Sequence, residues 1–322
     1  MITITYCRWK AILVFFFCFL FLPFSSYGKG NNDNILVINS YTEEYVWSEY
    51  VFDAIRTSLV DKASDVGVQM ESLNMLLMTD KEVLIKRKQE ILNKVQSNTP
   101  EVIVLQGNFA LLTFLDELHT IWKGIPVILC ADNDSVVSLE SCLSKAYSPT
   151  EKEYLLEDLV KGLNITIVNC LVYMEETVRM MIHLLPEMKK LVFISDRRYI
   201  SARMRCRMEK VMKEKFPHLE FSQLVEGQVS TEMMLDSIRS YDIKKVGILY
   251  YSWILGKGES GSSYLSTSNH RVVANITPHP VFTLLDLGIH TDEMAGGYLY
   301  CGHEMGKTVA EILDTMLYRP QP

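Results

Sequence analysis

The chain has 322 residues, 22% charged and 48% apolar, with a formal net charge of −7. That length suits two lobes better than one core, and the composition is that of an ordinary globular protein. The acidic balance argues against a nucleic-acid partner, because no basic surplus exists to neutralise phosphates.

The first stretch stands apart. Arg8 and Lys10 precede an apolar run at 11–22, and Pro23, Ser25, Ser26, Tyr27 and Gly28 follow. A positive flank, a short apolar core and small residues read as a secretory signal peptide over 1–28. The mature chain then begins near Lys29, in the periplasm or another extracytoplasmic space. The competing reading is an uncleaved membrane anchor, for which the run is short. Cys18 lies inside the apolar core without the small residues of a lipid-attachment site before it. Five cysteines remain beyond it: Cys130, Cys142, Cys170, Cys206 and Cys301. With no CxxC, they read as buried free thiols. A single disulfide such as Cys130–Cys142 is the alternative that export allows.

Short apolar runs then alternate with amphipathic helices. Strands are expected at 35–39, 66–73, 102–105 and 125–130, with helices at 46–63, 80–97 and 109–121 between them. Asp80 is placed to cap the second of these helices. Such βα units favour a parallel sheet covered on both faces. A less regular stretch spans 132–162, after which the alternation restarts. Strands are expected at 165–169, 191–195, 220–225 and 246–251, with helices at 175–185, 199–216 and 231–241. A closing helix is expected at 303–317. The predicted class is therefore α/β, with two Rossmann-like halves separated near residue 160.

Several motifs imitate catalytic or cofactor-binding patterns. Residues 256–261 spell GxGxxG after a strand, but no acid stands about twenty residues on, where a ribose would need one. Residues 258–262 approach GxSxG, with Ser262 in place of the last glycine. Residues 302–308 resemble a P-loop one residue short, which would deform the nest that holds phosphates. His270, His279 and His290 share a region without metal-ligand spacing. No cofactor or metal is called for. The rival to a binding protein is a hydrolase using Ser195 or Ser260, for which no base partner can be placed. A third alternative is an interaction module that takes no small ligand.

In open α/β sheets, ligands bind beyond the carboxyl ends of the strands. There the sequence places Ser40, Tyr41, Tyr45 and Trp47 after the first strand. Gln106, Gly107 and Asn108 follow the third, and Ala131, Asp132 and Asn133 the fourth. The second half supplies Ser195, Asp196 and Arg197, then Tyr250, Tyr251, Ser252 and Trp253. Aromatic faces, hydroxyls, amides and a few charges suit a small polar or amphipathic ligand: an amino acid, a sugar or a nucleoside-like solute. Helix N-termini on the same edge would offer N–H groups to a ligand anion. Each residue also has a structural reading: Tyr41 and Trp47 as staples of the first helix, Asp196 as a helix cap. Of Tyr250 and Tyr251, which alternate along a strand, one should face the core.

At these residues the sequence resembles the ABC-transporter substrate-binding protein family, with its type I periplasmic binding fold. The similarity runs in order through "ILVINSYTEEYVWSEYVFDAIRTSL", "GIPVILCADND", "LVFISDRRYISARMR" and "MAGGYLYCGHEMGKTVAEILDTMLYRPQP". "GNFALLTFL" and "SWILGKGES" depart from the pattern. The resemblance implies two lobes, 29–162 plus 290–322 and 163–289, joined by crossing strands at a hinge, with ligand enclosed between them and no catalysis. It implies one of two partners: the permease of an ABC importer, or the membrane-bound sensor kinase of a two-component system. The ending "YRPQP" resembles the point where sensor versions run on into a membrane helix.

Overall fold

The computed structural model describes residues 34–42, 45–60, 66–75, 80–143, 152–253, 269–286, 289 and 293–318. The expected signal peptide, Glu43 and Glu44, the glycine-rich stretch at 256–261 with Ser260 and Ser262, and His290 lie outside the described residues.

The first half runs β1 (Asn34–Asn39), α1 (Val46–Val60), β2 (Gly67–Ser72), α2 (Lys81–Val95), β3 (Val102–Gln106), α3 (Asn108–His119) and β4 (Val127–Ala131). A short antiparallel pair, β5 (Ser135–Val136) and β6 (Tyr154–Leu155), lies either side of α4 (Leu139–Leu143) and leads into α5 (Leu156–Leu159). Next come β7 (Ile165–Asn169), α6 (Met174–Leu184), β8 (Lys190–Ser195), α7 (Tyr199–Lys215) and β9 (Glu220–Val225). The chain closes through α8 (Thr231–Ser240), β10 (Val246–Tyr250), α9 (Asn269–Asn275), β11 (Val281–Thr283) and α10 (Gly302–Tyr318).

Among the described residues, two parallel sheets result, in the orders β2-β1-β3-β4-β7 and β11-β10-β8-β9. Both carry the reversal of strand order that opens a crevice at the carboxyl ends, between β1 and β3 in one and between β8 and β10 in the other. The strand at 165–169 departs from expectation. It pairs with β4, Val127 opposite Ile165, and so extends the first sheet rather than opening the second. The strand–helix alternation continues across it unbroken, so periodicity carries no mark of the change of sheet.

Each sheet is buried on both faces. Along β1, Leu36 and Ile38 join the cluster of Ile103, Leu105 and Leu129, whereas Ile35 and Val37 join that of Val104, Ile128 and Met305. Period-2 alternation between two apolar layers explains why these strands read as unbroken apolar runs. The second layer is supplied in part by the last helix. Met305, Val309 and Leu313 of α10 pack with Val51, Ile55 and Leu59 of α1.

The near-P-loop at 302–308 is thus a packing motif. A Cβ on Gly306 would stand 2.5 Å from Ala54 Cβ and 2.6 Å from Val51 O, so only glycine permits this helix approach. Lys307 pairs with Glu304 at 3.0 Å on the outer side.

The chain passes between the sheets after β7 and again before α10, and the two passages touch. Val172 and Leu299 form an antiparallel bridge, and Tyr298 N donates to Thr177 Oγ1 at 3.1 Å. All five cysteines in the described residues are free, so the Cys130–Cys142 disulfide is not formed. Cys130 is instead a core residue of β4. No helix among the described residues is long and apolar enough to cross a membrane.

Candidate functional site

The first wall begins at Asn39, a buried residue at the end of β1. Its Oδ1 accepts from Tyr41 N and from Ser48 Oγ, both at 2.9 Å, and its Nδ2 donates to Thr42 O and Ser72 Oγ. The bond to the N–H two residues on is an Asx turn, which bends the chain sharply off the sheet. That bend carries Tyr41, Tyr45 and Trp47 over the carboxyl end of β1. Tyr41 and Tyr45 have ring centroids 4.6 Å apart, and Trp47 meets Tyr41 edge-on at 6.5 Å.

Gly107 follows β3 with φ +90°, in the left-handed region that favours glycine. A Cβ there would lie 2.7 Å from Ser40 Oγ and 2.8 Å from Asp132 Oδ2. Its absence lets both side chains close on the N-terminus of α3. Asn108 N donates to Asp132 Oδ2 at 3.0 Å, and Ala110 N donates to Ser40 Oγ at 2.9 Å. Tyr41 Oη donates to the other carboxylate oxygen at 2.9 Å. Asn108 also clamps the loop after β4, its Nδ2 donating to Asn133 O and its Oδ1 accepting from Asp132 N.

The second wall repeats the device after β8. Asp196 is fully buried and accepts from Arg198 N and Arg198 Nε, each at 2.9 Å, and from Arg198 Nη2. Asp196 therefore turns the chain into α7 and neutralises Arg198. Arg197, the basic residue singled out in the sequence, points away and pairs with Glu226 at 3.3 Å. Ser252 exchanges a hydrogen bond of 2.9 Å with Ser201 on α7.

Two adjoining chambers lie between the walls. One is lined by Asn108, Phe109, Asn133 and Val136 on one side and by Arg198, Tyr199 and Ile200 on the other. The second is lined by Tyr45, Trp47 and Cys170 against Met204, Tyr251 and Leu285. Tyr41, Asp132 and Ile200 line both. Of the residues singled out in the sequence, Tyr41, Tyr45, Trp47, Asn108, Asp132, Asn133 and Tyr251 therefore meet at the chambers. Ser40, Gly107 and Asp196 shape the walls from behind.

Others sit elsewhere. Ala131 is core, and Tyr250 packs with Ile194, Ile248 and Trp253 in the apolar layer of the second half. Trp253 is a pillar of that layer, its Nε1 donating to Thr231 Oγ1 at 3.1 Å. Tyr251 is the chamber residue of the pair. Arg198, Ile200 and Met204 were missed, since nothing in the pattern marks which face of the start of α7, from its N-cap through its second turn, meets the opposite wall.

Burial sets the titration behaviour. It pushes the Asp132 carboxyl up to about 6, against the hydrogen bonds from Tyr41 and Asn108 that favour its charge. Burial alone would do the same to Asp196, but the charge and hydrogen bonds of Arg198 hold it below the ordinary value. Burial also raises the phenols of Tyr41, Tyr45 and Tyr251, and pushes the Cys170 thiol up to about 12. Ser195 is buried, and its Oγ accepts from Arg205 Nη1 at 3.0 Å. A guanidinium donor cannot activate a serine as a base would. His270 and His279 have separate partners, Glu293 and the carbonyl of Tyr241.

Two parallel α/β lobes with matching crevices, facing each other across adjacent chain passages, define the type I periplasmic binding fold, and this chain has that fold. No protein-family model and no curated protein matches it. Solved structures do. One is an ABC domain in complex with L-Trp from Streptococcus pneumonia, at 13% identity and a TM-score of 0.53, covering 89% of this chain and 86% of that one. An arabinose-binding protein from Geobacillus stearothermophilus matches at 12% identity and a TM-score of 0.52, covering 90% of each chain. A conserved domain protein from Vibrio cholerae matches at 12% identity and a TM-score of 0.55, covering 90% of this chain and 86% of that one.

Proposed function

We propose that this chain is an extracytoplasmic binding protein that closes around one small organic solute and leaves it chemically unchanged. The observation that carries the reading is the pair of chambers lined from both halves, with Tyr41 and Asp132 on one side and Ile200 and Tyr251 on the other. A solute touching both walls binds the closed form better than the open one, and that difference in affinity drives closure. The leader-like sequence at 1–28 supports export. Similarity of fold to proteins whose descriptions name L-Trp and arabinose supports a solute of that size.

Closure then serves a membrane partner, either as the signal of a histidine-kinase-type receptor or as the docking state of an ABC importer. A hydrolase centred on Ser195 is disfavoured, because that serine is buried and bound to a guanidinium. A thermal-shift screen of amino acids, amines, sugars and nucleosides tests the reading. A hit raises the melting temperature by mass action and should be recovered intact. Small-angle scattering should show a smaller radius of gyration with the hit bound. Silence across the panel, or turnover of the hit, would overturn it.

A further inference from the structure

The chambers are prepared for one sign of charge. Asp132 lines both of them, and each of its carboxylate oxygens accepts one hydrogen bond, from Tyr41 Oη and from Asn108 N. A carboxylate has lone pairs for about four such bonds. No Lys, Arg or His among the described residues pairs with it. Arg198 is the basic side chain among the described lining residues, and Asp196 already matches its charge through the backbone turn and the guanidinium.

The helix N-termini that would attract an anion are occupied from within. Asp132 and Ser40 fill that of α3, and Asp196 fills that of α7. Around Asp132 stand the rings of Tyr41, Tyr45, Trp47 and Tyr251. Aromatic faces attract cations, more strongly when water is excluded.

We infer that the solute carries a positively charged amine that Asp132 receives, with an apolar body lying against Tyr45, Trp47 and Tyr251. This deepens the binding-protein reading and rests on it. The incoming cation supplies the countercharge that the enclosed carboxylate lacks, so selectivity for amines follows from the wall itself.

Isothermal titration of the purified full chain tests this with four probes. Tryptamine and phenethylamine carry the amine, 3-phenylpropionate is an anion of matching body, and D-ribose is neutral. Saturable binding of an amine with no binding of 3-phenylpropionate is expected. Asp132→Asn, checked for an unchanged circular dichroism spectrum, should weaken the amine by roughly thirtyfold or more. If that variant does not fold, the comparison of amine with anion on the native chain decides alone.

Failure of both amines to bind, or equal affinity in a folded Asp132→Asn variant, overturns the inference. If 3-phenylpropionate or D-ribose binds where the amines do not, the binding-protein reading stands and only the amine falls. Silence with all four probes and across the wider panel removes both.

Discussion

Tyr41 and Asp132 are joined by a 2.9 Å hydrogen bond across 91 residues of sequence. Their strands, β1 and β4, are not neighbours, for β3 lies between them. The bond therefore bridges over the end of β3, where Gly107 leaves the space that the side chains of Asp132 and of Ser40, the neighbour of Tyr41, occupy. An aromatic turn, a glycine without a Cβ and an acid thus form one unit, built on three strands.

Tyr41→Phe keeps the ring and removes the donor. One oxygen of Asp132 then loses a bond that favours its charged form, so its carboxyl should titrate higher than in the native chain. Stability at neutral pH should fall by about 1–3 kcal/mol, the range for leaving an enclosed acceptor unsatisfied. Urea denaturation measures the loss, and carboxyl-carbon NMR measures the titration. An unmoved Asp132 titration would show that the bond does not govern the acid.

Asp132 should also give the chain an unusual dependence on pH. Its folded carboxyl titrates near 6, above the ordinary aspartate value of about 4. Between these values the folded chain holds a proton that the unfolded chain releases. The stability from this group is complete below the unfolded value and is lost as pH rises through about 6. The loss is at most about 3 kcal/mol, less whatever water in the chambers screens.

The neighbours leave that window clear. Burial holds Tyr41, Tyr45, Tyr251, Cys130 and Cys170 above their ordinary values and therefore neutral. Asp196 and Arg198 stay charged as a pair. Urea curves of the native chain and of Asp132→Asn from about pH 4 to about pH 7 should diverge, the native chain losing ground. Parallel curves would rule the mechanism out. A bound amine should reverse the trend, its affinity rising with pH over the same interval.

Much of this was legible in the sequence, and the reasons differ by element. The buried strands showed through their apolar runs, and Asp80 caps its helix, accepting from Val83 N at 2.9 Å. Tyr41, Tyr45, Trp47, Asn108 and Asp132 were found because strand ends in α/β sheets predict where side chains converge. The affiliation of β7 was hidden because parallel strands look alike whichever sheet they join. Tyr250 and Tyr251 could be separated only by knowing which apolar layer each faces. The short β5–β6 pair has two residues per strand, too few for a period. Trp47 lines a chamber and is also only 7% exposed in the core around α1. Trp47→Ala consequently tests packing as much as binding.

Arg198→Met should be among the most damaging single changes in the second half. It leaves the Asp196 carboxylate, fully buried, without its countercharge, at a cost of about 3–5 kcal/mol. The double variant Asp196→Asn with Arg198→Met should recover a large part of that loss, because no isolated charge remains. The pair's own pH dependence runs opposite to that of Asp132. Arg198 holds the Asp196 carboxyl low, so the stability it contributes is present above the ordinary aspartate value and lost as pH falls through the folded one. A double-mutant cycle by chemical denaturation checks the coupling. Additive losses would mean that the two charges are separately solvated.

Gly306→Ala sets a local preference against a tertiary one. In an exposed helix, alanine gains about 1 kcal/mol over glycine. At Gly306 the new methyl would meet Ala54 Cβ at 2.5 Å and Val51 O at 2.6 Å, so α10 must move off α1. Overpacking of this kind costs about 1–3 kcal/mol, and the net change should be destabilising. Gly302→Ala presses on the same helix nearer the site, its Cβ 2.6 Å from the carbonyl of Trp47. Moving that carbonyl shifts the Trp47 ring within its chamber. Gly302→Ala should therefore weaken solute binding in titrations, whereas Gly306→Ala should lower the melting temperature with a smaller change in affinity. A Gly306→Ala protein that melts higher than the native chain would show that the two helices have room to spare, and the close contact that holds α10 against the first sheet's outer layer would have to be abandoned.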